Sequence, residues 1–285
     1  IISAAGLINA IDVAGKKLED ARIVVNGAGA AAISCTRLYC SFGARKENIV
    51  MLDSRGVIRV DRENLTEQKR EFATTRDIHT LEEAVKDADV FVGLSKGNVL
   101  SKDMVRSMAK NPIIFALANP VPEISYEDAK DARPDVLMST GRTDYPNQIN
   151  NVIGFPYIFR GALDTAAKAI NEEMKLAAAR AIADLARRPV PDIVNRAYHV
   201  RNFTFGPDYF IPKPVDPRLI TEVSMAVAKA AIESGVARKV ITDWKAYRQQ
   251  LRELMGQESK LTQNLYDTAR LSPRRVVFAE GTHPT

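Results

Sequence analysis

The sequence predicts an α/β fold, a doubly wound Rossmann-like parallel sheet with helices added on its C-terminal side. Short apolar runs alternate with helical patterns through the first half of the chain. These runs lack the apolar–polar alternation of strands with one wet face, so helices are expected on both faces of the sheet. The first strand runs into a helix through Gly27-Ala28-Gly29-Ala30-Ala31-Ala32, a G-x-G-x-x-A pattern at the strand-to-helix junction.

The elements of the first half follow in a regular order. The chain opens in helical periodicity, and strands are predicted at 22–26, 48–52, 89–95, 112–119 and 135–140. A helix is predicted from the glycine pattern to about Phe42, and shorter helices between the later strands. Two of those helices are expected to begin at Ser101 and Ser125, which are N-cap residue types.

The second half predicts helices around a loop. A single long helical pattern runs from Pro156 to Leu185, the segment 205–219 contains four prolines, and helices follow at about 219–235 and 242–256. We assign 1–256 to one domain, 257–273 to a linker and 274–285 to the truncated start of a further domain. The first residue is not Met, and Val276-Val277-Phe278 predicts a buried strand near the end, so a piece of a longer protein is expected.

Composition places the chain among soluble globular proteins. It has 285 residues, 46% hydrophobic and 26% charged, without an apolar run of membrane-spanning length. The net charge is +5 with both signs interspersed, so neither nucleic acid nor a membrane is expected as a partner. A basic pocket for a phosphorylated cofactor would account for the excess of positive charge equally well. Cys35 and Cys40 lie on one predicted helix and do not suit a bridge, which favours a reducing, cytoplasmic location.

The residues around the glycine pattern support its interpretation as a dinucleotide site. Asp53 ends the second predicted strand, where a carboxylate is expected to meet the adenosine ribose of a dinucleotide. Gly27 allows a tight turn, Gly29 allows a pyrophosphate to approach the backbone, and Ala32 allows close helix–strand packing. The helix start presents free N–H groups to the phosphates. The alternative is a packing turn with an incidental aspartate, and dinucleotide binding is the favoured interpretation.

The residues after Asp53 favour NADP over NAD. A 2′-phosphate needs a positive charge, which Arg55 or the Lys69-Arg70 pair would supply, and Ser54 would donate a hydrogen bond. The alternative is that these are exposed loop charges.

Side-chain amides form a second group of candidates. Asn119 ends a predicted strand, and Asn147, Gln148, Asn150 and Asn151 precede an apolar helix. Such amides bind a carboxylate or a nicotinamide through paired donors and acceptors. Their alternative role is to cap and turn the chain. For "FGPDYFIPKP", a proline-rich brace is favoured over a site.

Together these stretches resemble the cofactor-binding domain of malic enzymes, in particular the bacterial NADP-dependent type fused to a phosphotransacetylase-like domain. The resemblance covers about residues 1–256. It is carried by "VVNGAGAAAISC", "FALANPVPEI", "STGRTDYPNQINNVIGFPYIFRGALD" and "FGPDYFIPKPVDPRL". The terminal "RRVVFAEG" is similar to the first strand of the phosphotransacetylase-like domain.

The resemblance implies a reaction and a set of binding residues. Malate is oxidised at C2 by hydride transfer to NADP⁺, and the oxaloacetate is decarboxylated to pyruvate and CO₂ with a divalent metal, Mg or Mn, as Lewis acid. Asn119 would lie beside the nicotinamide ribose, and Asn151, with Asn150, would contact the substrate carboxylate. Asn26, Gly27, Ala28 and Gly29 would hold the pyrophosphate, and Asp53, Ser54 and Arg55 would surround the adenosine ribose. Ala30 and Ala31, which follow the glycine loop, are also assigned to cofactor binding.

One departure from the family pattern limits what this chain does alone. The catalytic Tyr and Lys and the acidic metal ligands of the family belong to segments that precede this chain. Glu172 and Glu173 do not replace them, since adjacent helical residues point about 100° apart. We therefore expect no catalytic residue and no metal ligand here, no turnover by the isolated chain, and dependence on an N-terminal catalytic domain. A homo-oligomer is expected for the complete protein.

Two other functions remain open at this point. One is that of the dinucleotide domain of an amino-acid or folate dehydrogenase, which releases no CO₂. The chain is also compatible with a non-catalytic module that senses a nucleotide and regulates a partner domain.

Overall fold

The computed structural model describes residues 1–142, 145–255 and 268–271. The chain divides into two compact units, Ile1–Val240 and Ile241–Thr285. The second unit contains α11 (Trp244–Leu254). The predicted strand at Val276-Val277-Phe278 and most of the predicted linker lie outside the described residues, so the domain boundaries at 256 and 273 stay predictions.

The first unit is built on a six-stranded sheet with the order β3-β2-β1-β4-β5-β6. The strands are β1 (Ile23–Asn26), β2 (Ile49–Asp53), β3 (Gly56–Val57), β4 (Val90–Gly93), β5 (Ile113–Ala116) and β6 (Leu137–Thr140). Five strands are parallel, which confirms the Rossmann-like prediction. The strand order reverses between β1 and β4, and ligands of such sheets bind at the carboxyl ends of the strands around that point.

The sheet also contains one short antiparallel edge strand, β3, which was not predicted from the sequence. β3 pairs antiparallel with β2, with Leu52 opposite Val57 and Asp53 opposite Gly56. Gly56 has φ +103°, a conformation suited to glycine in a tight reversal. Because β3 has two residues, its apolar signal is too short to stand out.

Side chains alternate between two apolar cores on opposite faces of the sheet. Ile23, Val25, Met51, Val92 and Phe115 enter one core, whereas Val24, Leu52, Phe91 and Ile114 enter the other. Both faces are thus covered, which explains why the strands lack a regular apolar–polar alternation.

Most helices of the first unit pack on one of these two cores. The helices of the unit are α1 (Ile2–Val13), α2 (Ala30–Ser41), α3 (Glu67–Arg70), α4 (Leu81–Val85), α5 (Lys102–Ser107), α6 (Tyr126–Ala132), α7 (Phe155–Asp164), α8 (Glu172–Ala186), α9 (Asp192–Ala197) and α10 (Leu219–Glu233). Residues of α1, α2, α7, α8 and α10 join the first core, and residues of α4, α5 and α6 join the second. No helix in the described part of the chain has the length and apolar character needed to cross a membrane.

The predicted N-caps are confirmed. The Ser101 hydroxyl accepts a hydrogen bond from the Met104 N–H at 3.2 Å, and the Ser125 hydroxyl accepts one from the Asp128 N–H at 3.0 Å. Each satisfies an amide that the first helical turn leaves without a backbone partner.

The single long helix predicted over 156–185 is wrong. α7 ends at Asp164, and the Thr165 hydroxyl bonds back to the Gly161 carbonyl at 2.9 Å. α8 restarts after Asn171, whose side chain caps the Met174 N–H at 3.1 Å. The short helix α9 was not predicted, whereas 205–219 is a loop up to the last residue, where α10 begins, as its prolines indicated.

Candidate functional site

The glycine loop follows β1 at the carboxyl edge of the sheet. The Gly27 N–H donates to the Leu52 carbonyl, and the Leu94 N–H donates to the Asn26 carbonyl, each at 2.9 Å. Gly27 has φ +136°, and a Cβ there would lie 2.5 Å from the Leu94 carbonyl oxygen. Only glycine fits between the ends of β2 and β4 in this conformation.

Gly29 differs from Gly27 because the structure around it is open. It precedes α2 with φ −81° and ψ 179°, which any residue adopts. No heavy atom of the described residues would lie within 4 Å of a Cβ at this position. Ala30 and Ala31 are exposed, and within the described chain no side chain caps this helix start. The turn therefore presents backbone N–H groups to an open space suited to an anion.

A cavity of about 690 Å³ lies beside the glycine loop on the β2 side. Its lining includes Asn26, Gly27, Ala28, Gly29, Asp53, Ser54, Lys69 and Leu94. The structure thus brings together most of the residues predicted to hold the pyrophosphate and the adenosine ribose. Arg55 is exposed and is not among the described residues that line this cavity. Of the basic residues predicted beside Asp53, Lys69 is the one that lines the cavity.

Two basic side chains neutralise Asp53. Its carboxylate lies 3.1 Å from Arg62 Nη2 and 2.8 Å from Lys69 Nζ, and it accepts the Arg55 backbone N–H at 3.0 Å. Burial opposes ionisation of Asp53, but the hydrogen bonds from Lys69, the Arg55 amide and Arg62 outweigh it and lower the pKa of the carboxyl. The group of Asp53, Arg62 and Lys69 therefore carries a net positive charge.

A second cavity, of about 840 Å³, lies on the β4–β6 side. Asn119, Arg142, Asn150 and Asn151 line it, together with Ala31 from the start of α2. Leu94 lines both cavities, so the two adjoin at the point where the strand order reverses. A ligand with two ends would extend from one cavity into the other along the carboxyl edge of the sheet.

A hydrogen-bond network ties together the loops that separate the cavities. The Asn26 side chain donates to the Ser95 hydroxyl at 2.9 Å. The fully buried Glu123 carboxylate accepts the backbone N–H groups of Ser95 at 3.2 Å and Ala118 at 3.0 Å. Burial raises the pKa of Glu123, and these amide bonds offset only part of that rise. A Cβ at Gly93 would lie 2.2 Å from the Glu123 carboxyl carbon, so that glycine makes room for the carboxylate.

The four amides of the loop before α7 divide into two roles. Asn147 and Gln148 are buried, and Asn147 accepts the Phe210 N–H at 3.0 Å while donating to the Pro207 carbonyl at 2.7 Å. Asn150 caps the 3₁₀ turn Asn151–Ile153 by accepting the Val152 N–H at 3.0 Å. Asn151 is exposed at the cavity. Part of this cluster therefore supports the loop, as the capping alternative proposed.

The proline-rich segment braces the same loop through Lys213. Its ammonium donates to the Pro146 carbonyl and lies 4.9 Å and 5.0 Å from the ring centres of Tyr198 and Phe203. Lys213 is 3% exposed. Burial lowers its pKa to about 8, and Asp208 opposes the shift.

Comparison with known proteins decides the family. A family model described as "Malic enzyme, NAD binding domain" matches residues 1–195 of the chain. The chain belongs to the malic enzyme family. The described fold agrees with the malic enzyme of Entamoeba histolytica, whose crystal structure gives a TM-score of 0.76 at 33% identity over 95% of this chain and 54% of that one.

Relatives in the malic enzyme family differ in the cofactor that their names carry. The NADP-dependent malic enzyme of Rhizobium meliloti (strain 1021) is 52% identical over 99% of the chain. The NAD-dependent malic enzyme of the same strain is 48% identical over 99% of the chain. The chain spans 37% of the length of either relative.

For a member of the malic enzyme family, the described residues hold binding groups rather than a metal centre. No group of three or more His, Cys, Asp or Glu residues in the described part of the chain is placed to hold a metal ion.

Four residues of this malic enzyme domain were missed from the sequence: Ser95, Glu123, Arg142 and Lys213. Ser95 and Arg142 lie just beyond the ends of β4 and β6, whereas Glu123 lies further along the loop that follows β5. A polar or charged residue just past the carboxyl end of a parallel strand was the available signal. Lys213 gave no such signal, because its burial depends on contacts with α9 and distant loops.

Proposed function

We propose that this chain is the NADP-binding part of a malic enzyme that oxidises malate at C2 and decarboxylates the product to pyruvate and CO₂. The observation that carries this proposal is the pair of adjoining cavities, one with the glycine loop and one with the amides, on either side of Leu94. NADP⁺, when bound, supplies the acceptor for the hydride.

Each group has a defined task in this proposal. The N–H groups after Gly29 bind the pyrophosphate, and the methyl-free surface of that residue lets the phosphates approach. Asp53 and Ser54 bind the adenosine ribose. Asn119 orients the nicotinamide ribose, and Asn151 binds the substrate carboxylate on a loop that Asn150 caps. The network through Glu123 holds these groups in register across three strand ends.

The charges around Asp53 support NADP over NAD. A lone carboxylate beside the 2′ position repels a phosphate, but Arg62 and Lys69 compensate its charge and leave an excess positive charge beside Ser54. Lys69, rather than Arg55, lines the cavity. We therefore assign the 2′-phosphate contact to Lys69 and Ser54, with Arg55 at the rim.

A titration of variants tests the cofactor assignment. Lys69→Gln should lower the affinity for NADP⁺ by about tenfold or more, the loss expected for one charge-assisted hydrogen bond. NAD⁺ affinity should change little. Arg55→Ala is the matched control and should retain most of the NADP⁺ preference. A collapse of that preference in Arg55→Ala, with Lys69→Gln unaffected, would assign the contact to the loop tip instead.

The remaining parts of the reaction are proposed to come from outside the described residues. We propose that the general acid, the general base and the ligands for Mg or Mn belong to an N-terminal catalytic domain, and that a phosphotransacetylase-like domain follows this one. The fact that the chain spans 37% of related malic enzymes supports both. A cytoplasmic homo-oligomer is the proposed assembly.

Malate-dependent NADPH formation by the full-length protein is the test of function. The full-length protein with Mg²⁺ or Mn²⁺ should reduce NADP⁺ and release CO₂ in equal amounts, and the 285-residue chain alone should do neither. NADP⁺ reduction with an amino acid or a folate and without CO₂ would favour another dehydrogenase. Nucleotide binding without any turnover would favour a sensing module.

A further inference from the structure

Arg142 introduces a positive charge into the amide-lined cavity. It lies two residues beyond β6, and its backbone N–H donates to the Thr140 hydroxyl at 3.2 Å. Among the described residues that line this cavity, Arg142 has the only charged side chain. A guanidinium with the amides of Asn119 and Asn151 on one cavity wall suits an anionic ligand with planar oxygens.

An aromatic platform supports the guanidinium. Its central carbon lies 5.6 Å from the ring centre of Tyr145. The Tyr145 ring stacks on Tyr126 of α6 at 4.9 Å, and its hydroxyl lies 3.1 Å from each oxygen of Glu127. Cation–π contact on an anchored ring restricts the arginine side chain, so less entropy is lost when a ligand pairs with it.

The position in the sheet indicates which anion Arg142 meets. The glycine loop follows β1, and β6 lies three strand spacings away in the order β1-β4-β5-β6, about 14 Å. That separation exceeds the Debye length at physiological salt, roughly 8 Å. The backbone at Arg142 is therefore well separated from the glycine loop. Asn119, which follows β5, lies between the two.

We propose that Arg142 is a specificity-determining residue that pairs with a carboxylate of the acid substrate, beyond the nicotinamide end of the cofactor. This inference rests on the proposed function and names a contact for that same site. A planar guanidinium offers two parallel N–H donors to a carboxylate, which a lysine ammonium cannot reproduce. Discrimination in favour of an anionic substrate thus comes from this chain.

Steady-state kinetics of the full-length protein test the inference. Arg142→Gln should raise the KM for malate about ten- to hundredfold, the range for loss of a hydrogen bond between charged groups, while the KM for NADP⁺ changes less than about twofold. Arg142→Lys should fall between wild type and Arg142→Gln. The matched control is Arg106→Gln, an exposed arginine on α5 that pairs with Asp103, and it should leave both KM values unchanged.

Thermal shifts provide a readout that does not depend on turnover. Malate and NADP⁺ should each raise the melting temperature of the wild type, and Arg142→Gln should abolish the malate shift and retain the NADP⁺ shift. An unchanged malate KM with an unchanged malate shift overturns the inference alone. A variant that loses the NADP⁺ shift instead also overturns it. A wild type that neither binds nor oxidises malate refutes the proposed function, and the inference falls with it.

Discussion

The two glycines of the β1–α2 loop should respond to the same substitution in opposite ways. Gly27 and Gly29 are two residues apart, and alanine adds one methyl group at either. At Gly27 that methyl would lie 2.5 Å from the Leu94 carbonyl oxygen and would force φ +136° on an L-residue. At Gly29 it would enter open space at an allowed conformation. Gly27 is therefore required by the fold, whereas Gly29 is not and can leave room for a ligand.

The magnitudes follow from these contacts. In Gly27→Ala the backbone strain costs about 1–3 kcal/mol, and relieving the contact with Leu94 costs about 1–3 kcal/mol more. In Gly29→Ala the restricted unfolded chain contributes about 0.4–1 kcal/mol of stability, which offsets the roughly 0.5–1 kcal/mol lost when alanine occupies an N-cap. The free energy of unfolding should thus fall by about 2–6 kcal/mol in Gly27→Ala and hardly change in Gly29→Ala.

Calorimetry of the full-length protein separates the two effects. Gly27→Ala should lower the melting temperature of the transition that includes this unit by at least about 5 °C. Gly29→Ala should melt within about 2 °C of wild type but bind NADP⁺ at least about tenfold more weakly, since the methyl holds the phosphates away from the N–H groups. Wild-type NADP⁺ affinity in Gly29→Ala would mean that the loop is only a packing turn. An unshifted melting temperature in Gly27→Ala would refute the steric argument at Leu94.

Two further predictions concern the brace beneath the amide loop. Because burial lowers the pKa of Lys213 to about 8 from 10.5, the unfolded state binds more protons between these values, and stability should rise with pH over that window and stay reduced below it. Urea unfolding at pH 8 and pH 10 should show this rise in the free energy of unfolding. Lys213→Met should remove the part of the rise that Lys213 contributes. The same increase in both proteins would contradict the burial argument. Asn147→Ala should destabilise by about 2–5 kcal/mol, because the Phe210 N–H and the Pro207 carbonyl lose their partners in the interior. Asn151→Ala, at an exposed position, should change the unfolding free energy by no more than about 0.5 kcal/mol, and equal losses in both variants would show that the buried bonds are not decisive.

The strands of the sheet were predictable because the signal for each one, a short apolar run, lies within the strand itself. A parallel strand covered on both faces is mostly apolar along its whole length, so Ile23–Asn26 and Ile113–Ala116 stand out in the sequence. The break between α7 and α8 was not predictable on that basis. Helical periodicity continues across it, and the helix ends through the hydrogen bonds of Thr165 and Asn171, which propensity does not reveal.

The candidate site was predictable where its residues are neighbours in sequence. The glycine loop and Asp53 follow directly from strand ends. The sequence predicted the proposed 2′-phosphate contact at Arg55 or at the Lys69-Arg70 pair. In the fold, Lys69, 16 residues beyond Asp53, lines the cavity. The division between Asn147 and Asn151 depends on a segment more than 50 residues away in the chain, and no local pattern encodes it.

The short hairpin of β2 and β3 also has a consequence for how this family diverges. Ser54 and Arg55 lie at its exposed tip on the outer edge of the sheet, whereas Asn119, Arg142 and Asn151 border the other cavity. Under the proposed function, substitutions at that tip change the cofactor preference while the groups proposed to bind the acid stay unaltered. If that proposal holds, descendants of one gene can draw on different pools of reducing equivalents after few substitutions.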